Sequence, residues 1–108
     1  MAAGSEPGRK NDAESVVTVL KVLSHTGRLQ ILCLLLDGRM NVGALSAVLG
    51  EPQAAVSQQL MRLRSEGFVR ASRHGKTMLY EIADPRVLPV IQALRSSYCG
   101  DDADALFR

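Results

Sequence analysis

The chain has 108 residues, enough for one domain with a core of its own and too few for a separate catalytic domain. It has no apolar run of about 18 residues and no basic-then-apolar leader, so neither a membrane span nor a secretory signal is indicated and a cytoplasmic protein is expected. The net charge is +2. Its distribution is uneven: Gln53 to Tyr80 holds Arg62, Arg64, Arg70, Arg73 and Lys76 against the single anion Glu66, while the remainder is net negative. Concentrated positive charge is what neutralising phosphates requires, although a solvated helix and hairpin face would carry it too.

Residues 1–11 contain Gly4, Pro7 and Gly8 and few apolar side chains, which predicts a mobile tail. From a cap at Asp12, Val16, Val17, Leu20 and Leu23 recur at helical spacing. Val19 and Val22 widen that face beyond what one contact needs, which predicts burial against a second chain. A second helix follows within Leu23 to Leu36, apolar around most of its circumference and stopped by Asp37-Gly38; it should be central. His25 has no ligand partner at metal spacing and is expected to cap a helix or meet an interface.

Asn41 caps a short third helix containing Val42, Leu45, Val48 and Leu49 and ending at Gly50. Glu51-Pro52 makes a turn with proline at or near the start of the fourth helix, Gln53 to Gly67. On that helix Val56, Leu60 and Leu63 form one apolar stripe, whereas Ala54, Ser57, Gln58, Met61 and Arg62 face away from it. Short side chains, amides and arginines on one face can approach a major groove, meet base edges and hold phosphates. Short helix, tight turn and polar-faced helix make a helix-turn-helix.

Phe68 to Arg73 and Thr77 to Ile82 then read as a β-hairpin around a His74-Gly75-Lys76 turn, with Met78, Tyr80 and Ile82 alternating toward one face and Arg73, His74 and Lys76 at the tip. A last helix starts from Asp84-Pro85 and carries Val87, Ile91, Leu94 and Tyr98. Pro89 places its regular part from about Leu88, and Cys99-Gly100 closes it. Residues 100–108 form an acidic, loose tail. The fold class is therefore mainly α with a β-hairpin, a winged helix-turn-helix of order α1-α2-α3-α4-β1-β2-α5 occupying residues 12–99.

Two segments carry a family likeness. Leu23-Ser24-His25-Thr26-Gly27-Arg28-Leu29-Gln30-Ile31-Leu32 is similar to the Leu-Ser-His-Pro-x-Arg-Leu-x-Ile-Leu signature of the ArsR family of small homodimeric winged-helix repressors. Val56-Ser57-Gln58-Gln59-Leu60 with Leu63-Arg64 and Gly67-Phe68-Val69 is similar to that family's recognition helix. Thr26 and Gln59 depart from the common proline and histidine. The resemblance spans roughly Val16 to Cys99 and implies base reading by Ser57, Gln58 and Gln59. It implies backbone contacts by Arg62, Arg64, Arg73, His74 and Lys76, on an inverted-repeat operator in double-stranded DNA. Arg64 projects near the apolar stripe, so a tie to its own domain is the alternative there.

The metal-sensing members of the family use a Cys-x-Cys pair before the recognition helix or Asp, His and Glu pairs on the last helix. Here Asn41 to Leu45 has no thiol, and the last helix has no His and no acid after Asp84. Neither a metal site within one protomer nor a cofactor is expected. Cys33 and Cys99 are placed as in the family's dithiol branch, the sulfide-responsive and biofilm-growth-associated repressors. That likeness implies sensor thiols that reactive sulfur species bridge within a protomer, releasing the operator. The readings left beside it are a metal- or arsenic-responsive repressor with a site shared between protomers, and a winged-helix interaction module without DNA binding. A small thiol enzyme lacks Cys-x-x-Cys and an evident acid-base partner, and no enzymatic activity is expected.

Overall fold

A computed structural model of the protein describes residues 12–99. The terminal segments 1–11 and 100–108, expected as tails, lie outside the described residues. The elements are α1 (Asp12–Leu23), α2 (Thr26–Leu35), α3 (Val42–Leu49), α4 (Gln53–Ser65), β1 (Val69–His74), β2 (Thr77–Ile82) and α5 (Val87–Cys99).

The first two helices separate at Ser24-His25. His25 is extended (φ −112°, ψ 122°), and its Nδ1 accepts the Gly27 N–H at 3.1 Å, so the ring caps α2. The expected capping role of His25 is thus found, and α2 opens three residues later than Leu23. Ile31, Leu32, Cys33 and Leu35 are all buried, which makes α2 the axis of the core. Around it pack Leu45 of α3, the stripe of α4, and Val87 and Ile91 of α5.

The hairpin differs from the sequence expectation in two details. Its turn is the two residues Gly75-Lys76, because His74 pairs with Thr77 and Gly75 takes φ +66°, the conformation that two-residue hairpin turns need and glycine adopts without strain. Phe68 precedes the strand and is buried, its N–H donating to Leu63 O at 2.9 Å and its carbonyl accepting from Ala83 N–H at 2.8 Å. Tyr80 and Ile82 pack on the core as the alternation predicts. Met78 does not, being exposed where the hairpin projects past the core. Met40 exchanges two backbone hydrogen bonds with Tyr80, 3.1 and 2.9 Å, and brings Arg39 alongside the wing.

Asp84 launches α5. Its Oδ1 accepts the Arg86 N–H at 2.8 Å, and its carbonyl accepts from Val87 N–H and Leu88 N–H. The helix starts at Val87, one residue before the position expected from Pro89. Proline is tolerated because it is the third helical residue, where no intrahelical acceptor exists for its missing N–H. Burial pushes the Asp84 carboxyl up, but hydrogen bonds from the Arg86 side chain and backbone, with the guanidinium charge, outweigh it and hold the group below the ordinary carboxylate value.

Candidate nucleic-acid interface

The centre of the site is α4. Ala, Gln, Leu, Met and Arg dominate it, all good helix formers. It ends in a Schellman motif: Gly67 at φ +79° donates to Arg64 O at 3.0 Å, and Phe68 donates to Leu63 O. Val56, Leu60 and Leu63 are each at most 2% exposed, as the stripe predicted. Burial of each contributes about 1.5–3 kcal/mol, which seats the helix against α2 and α3 by one side only.

The opposite side is open. Ala54, Gln58, Met61 and Arg62 are exposed and Ser57 is half-buried. Arg62 Nε lies 3.3 Å from Glu66 Oε2 one turn on. Arg64 is exposed, and among the described residues its guanidinium has no hydrogen-bond or ion-pair partner, so no tie to its own domain forms. Gln59 is turned differently from Gln58: its Oε1 accepts from Arg28 Nη1 at 3.3 Å, and its Nε2 is 3.4 Å from His25 Nε2.

At the wing, Arg73 and Lys76 are exposed. Arg70 is matched across the strands by Glu81 at 3.0 Å. His74 Nε2 is 2.9 Å from Arg39 Nη1 and 3.1 Å from Ser72 Oγ. A guanidinium only donates, so in this contact His74 Nε2 is the acceptor. The charge at that spot is therefore contributed by Arg39. Sequence reasoning missed it because it lies fourteen residues before the basic window and reaches the wing only through the Met40–Tyr80 bridge.

Cys33 is on the core side of α2 and 2% exposed, and Cys99 is the last residue of α5. The two helices pack together, and Arg95 of α5 donates to both carboxylate oxygens of Asp37 just past the end of α2, at 3.0 and 3.1 Å. Among the described residues no group of three or more His, Cys, Asp or Glu is placed to hold a metal ion. No helix among them is long and apolar enough to cross a membrane. On α1, Val16, Val17 and Leu20 are about half exposed, and with Val90 of α5 the first and third border a shallow apolar cavity of about 170 Å³.

A helix-turn-helix whose second helix is held by one face, followed by a hairpin with exposed cations at its tip, defines a winged-helix DNA-binding protein. The comparisons with known proteins agree. The family model for bacterial regulatory proteins of the arsR family matches residues 25–71. The transcriptional activator HlyU of Vibrio cholerae is 41% identical over 90 residues, 83% of this chain and 82% of its own length. The solved structure of reduced HlyU superposes with a TM-score of 0.79 at 38% identity, covering 82% of this chain and 93% of that one. The biofilm growth-associated repressor of Xylella fastidiosa is 34% identical over 93 residues, 86% of this chain and 82% of its own length. The crystal structure of that species' repressor BigR has a TM-score of 0.77 at 34% identity, covering 84% of this chain and 90% of that one. A homodimeric winged helix-turn-helix domain from Mycobacterium bovis is similar at a TM-score of 0.68 and 29% identity, covering 85% of this chain and 89% of that one. The chain belongs to the ArsR family of transcriptional regulators, and the relatives that it matches are regulators, not enzymes.

Proposed function

We propose that the protein is a homodimeric repressor that binds an inverted-repeat operator and releases it when reactive sulfur species bridge Cys33 and Cys99 within a protomer. The observation that carries the DNA-binding part is the one-sided seating of α4, which leaves Ser57 and Gln58 available to base edges, whereas the amide expected to read bases at Gln59 is turned to Arg28. Arg62, Arg64, Arg73, Lys76 and the Arg39–His74 pair hold phosphates on either side. The exposed Val16, Val17 and Leu20 support pairing of two protomers, and two-fold symmetry then presents two readers to two half-sites about one helical turn apart.

The packing of α5 on α2, the helices that carry the two cysteines, supports the sensor. Sulfur transfer from a persulfide R–S–SH to each thiol gives two cysteine persulfides and two R–SH. Attack of one terminal sulfur on the cysteine sulfur of the other then expels HS⁻ and closes a trisulfide, with no external oxidant. A bridge with an added sulfur spans a wider gap than a direct disulfide. Because Cys33 is buried, closure requires the core around it to open and re-form, and this couples the chemistry to the spacing of the two readers.

Mass spectrometry after separate treatment with persulfide, disulfide and peroxide tests the reading. A Cys33–Cys99 crosslink with added sulfur, formed after persulfide and accompanied by operator release, is expected. Release of DNA by Cys33→Ser or Cys99→Ser under persulfide would overturn it, and release by added metal or arsenic would assign the signal to a site shared between protomers.

A further inference from the structure

We infer that Arg28 and Gln59 form a strut that sets the orientation of the recognition helix relative to α1, so that both are positioning residues for operator binding. This rests on the reading of α4 as the DNA reader and concerns what holds that reader. Arg28, on α2, is the only side chain among the described residues shown bonding to both the end of α1 and α4. Its Nε donates to Val22 O in the last turn of α1 at 2.8 Å, and its Nη1 donates to Gln59 Oε1 at 3.3 Å, while the side chain is partly buried. A planar fork reaches two acceptors at once from one rigid group, which a lysine ammonium on a flexible stem does not reproduce.

The surroundings of Gln59 hold it to this partner. With His25 Nδ1 accepting from Gly27 N–H, the neutral ring carries its proton on Nε2, which faces the same amide 3.4 Å away. A protonated Nε2 cannot accept from the Gln59 Nε2 that it faces, so the guanidinium, which is charged and donates to Oε1, is the partner that holds the amide. Gly27 leaves the room for this: a Cβ there would come within 3.2 Å of His25 Cε1 and 3.7 Å of Gln59 Cγ. The α1 that is tied in this way also bears the exposed Val16, Val17 and Leu20. Any shift of α1 is therefore passed through one side chain to the reader.

The test uses duplexes selected by the wild-type protein from a randomised pool, and Arg28→Lys, Gln59→Ala and the double variant in the full chain. Each single variant should fold, weaken binding to the selected duplex about 3- to 30-fold, and relax the preference for the selected half-site spacing when one base pair is added or removed. The double variant should be no weaker than Gln59→Ala alone, because one strut is lost only once. The slope of affinity against salt should be unchanged in Arg28→Lys, since no phosphate contact is removed. Additive losses, an unaltered spacing preference in folded variants, or a smaller salt slope in Arg28→Lys would overturn the strut. Failure of the wild type to select any duplex would instead overturn the DNA-binding reading beneath it.

Discussion

Single residues decide how this surface meets a polyanion. Arg62 leans on Glu66 and Arg70 on Glu81, so part of the basic window is already neutralised within the fold. Arg64, Arg73, Lys76 and Arg39 remain as uncompensated charge among the described residues. Arg73→Ala and Lys76→Ala should each weaken operator binding several-fold and lower the magnitude of the salt slope by about 1, measured by titration at a series of salt concentrations. Unchanged affinity and slope in both would mean that neither touches phosphate. The cations were legible in the sequence as a local excess. Their sorting into paired and unpaired was not, because Arg70 meets Glu81 only through the register of the hairpin.

At the scale of elements, local signals placed most boundaries. Asn41 caps α3 as its side chain suggested, accepting the Ala44 N–H at 2.7 Å, and Gly67 terminates α4. The start of α5 is governed by Asp84, which sits at 9% exposure with Arg86 folded over it. Its carboxyl is held below the ordinary value, so it stabilises the fold above the ordinary carboxylate range. That contribution is lost as pH falls through the lowered folded-state value. Asp84→Asn should cost about 1 kcal/mol at neutral pH and show a smaller further loss below about pH 4 than the wild type, read from urea unfolding across that range. Equal acid sensitivity in both proteins would assign the loss to other carboxylates. The two-residue wing turn escaped the sequence because His74 and Gly75 are both ordinary turn residues, and only strand pairing shows that His74 is the last rung.

For the whole molecule the unexplained surface is the outer face of α1. Val16, Val17 and Leu20 are exposed, the first and third beside Val90 of α5, although the first helix has already buried Val22 and Leu23. Leu20→Glu should leave the core intact and convert a dimer into a monomer in light scattering. Operator affinity should fall at least about tenfold, because two half-sites would no longer be held together. A dimer unaffected by that charge would place the interface elsewhere.

What the sequence determined by itself is whatever depends on neighbours a few residues apart. The stripe of Val56, Leu60 and Leu63, the caps, the order of elements and the concentration of basic charge are set by helical and strand periodicity acting locally. What only the tertiary structure decided is which side chains from distant segments share a place. The approach of Arg39 to His74, the burial of Cys33, and the hold of Arg28 on both Val22 and Gln59 depend on how the helices pack. The Arg28–Gln59 and Arg39–His74 contacts join residues 31 and 35 positions apart, and no pattern along the chain encodes a hydrogen bond between two side chains until burial of the core has fixed the distance between their backbones.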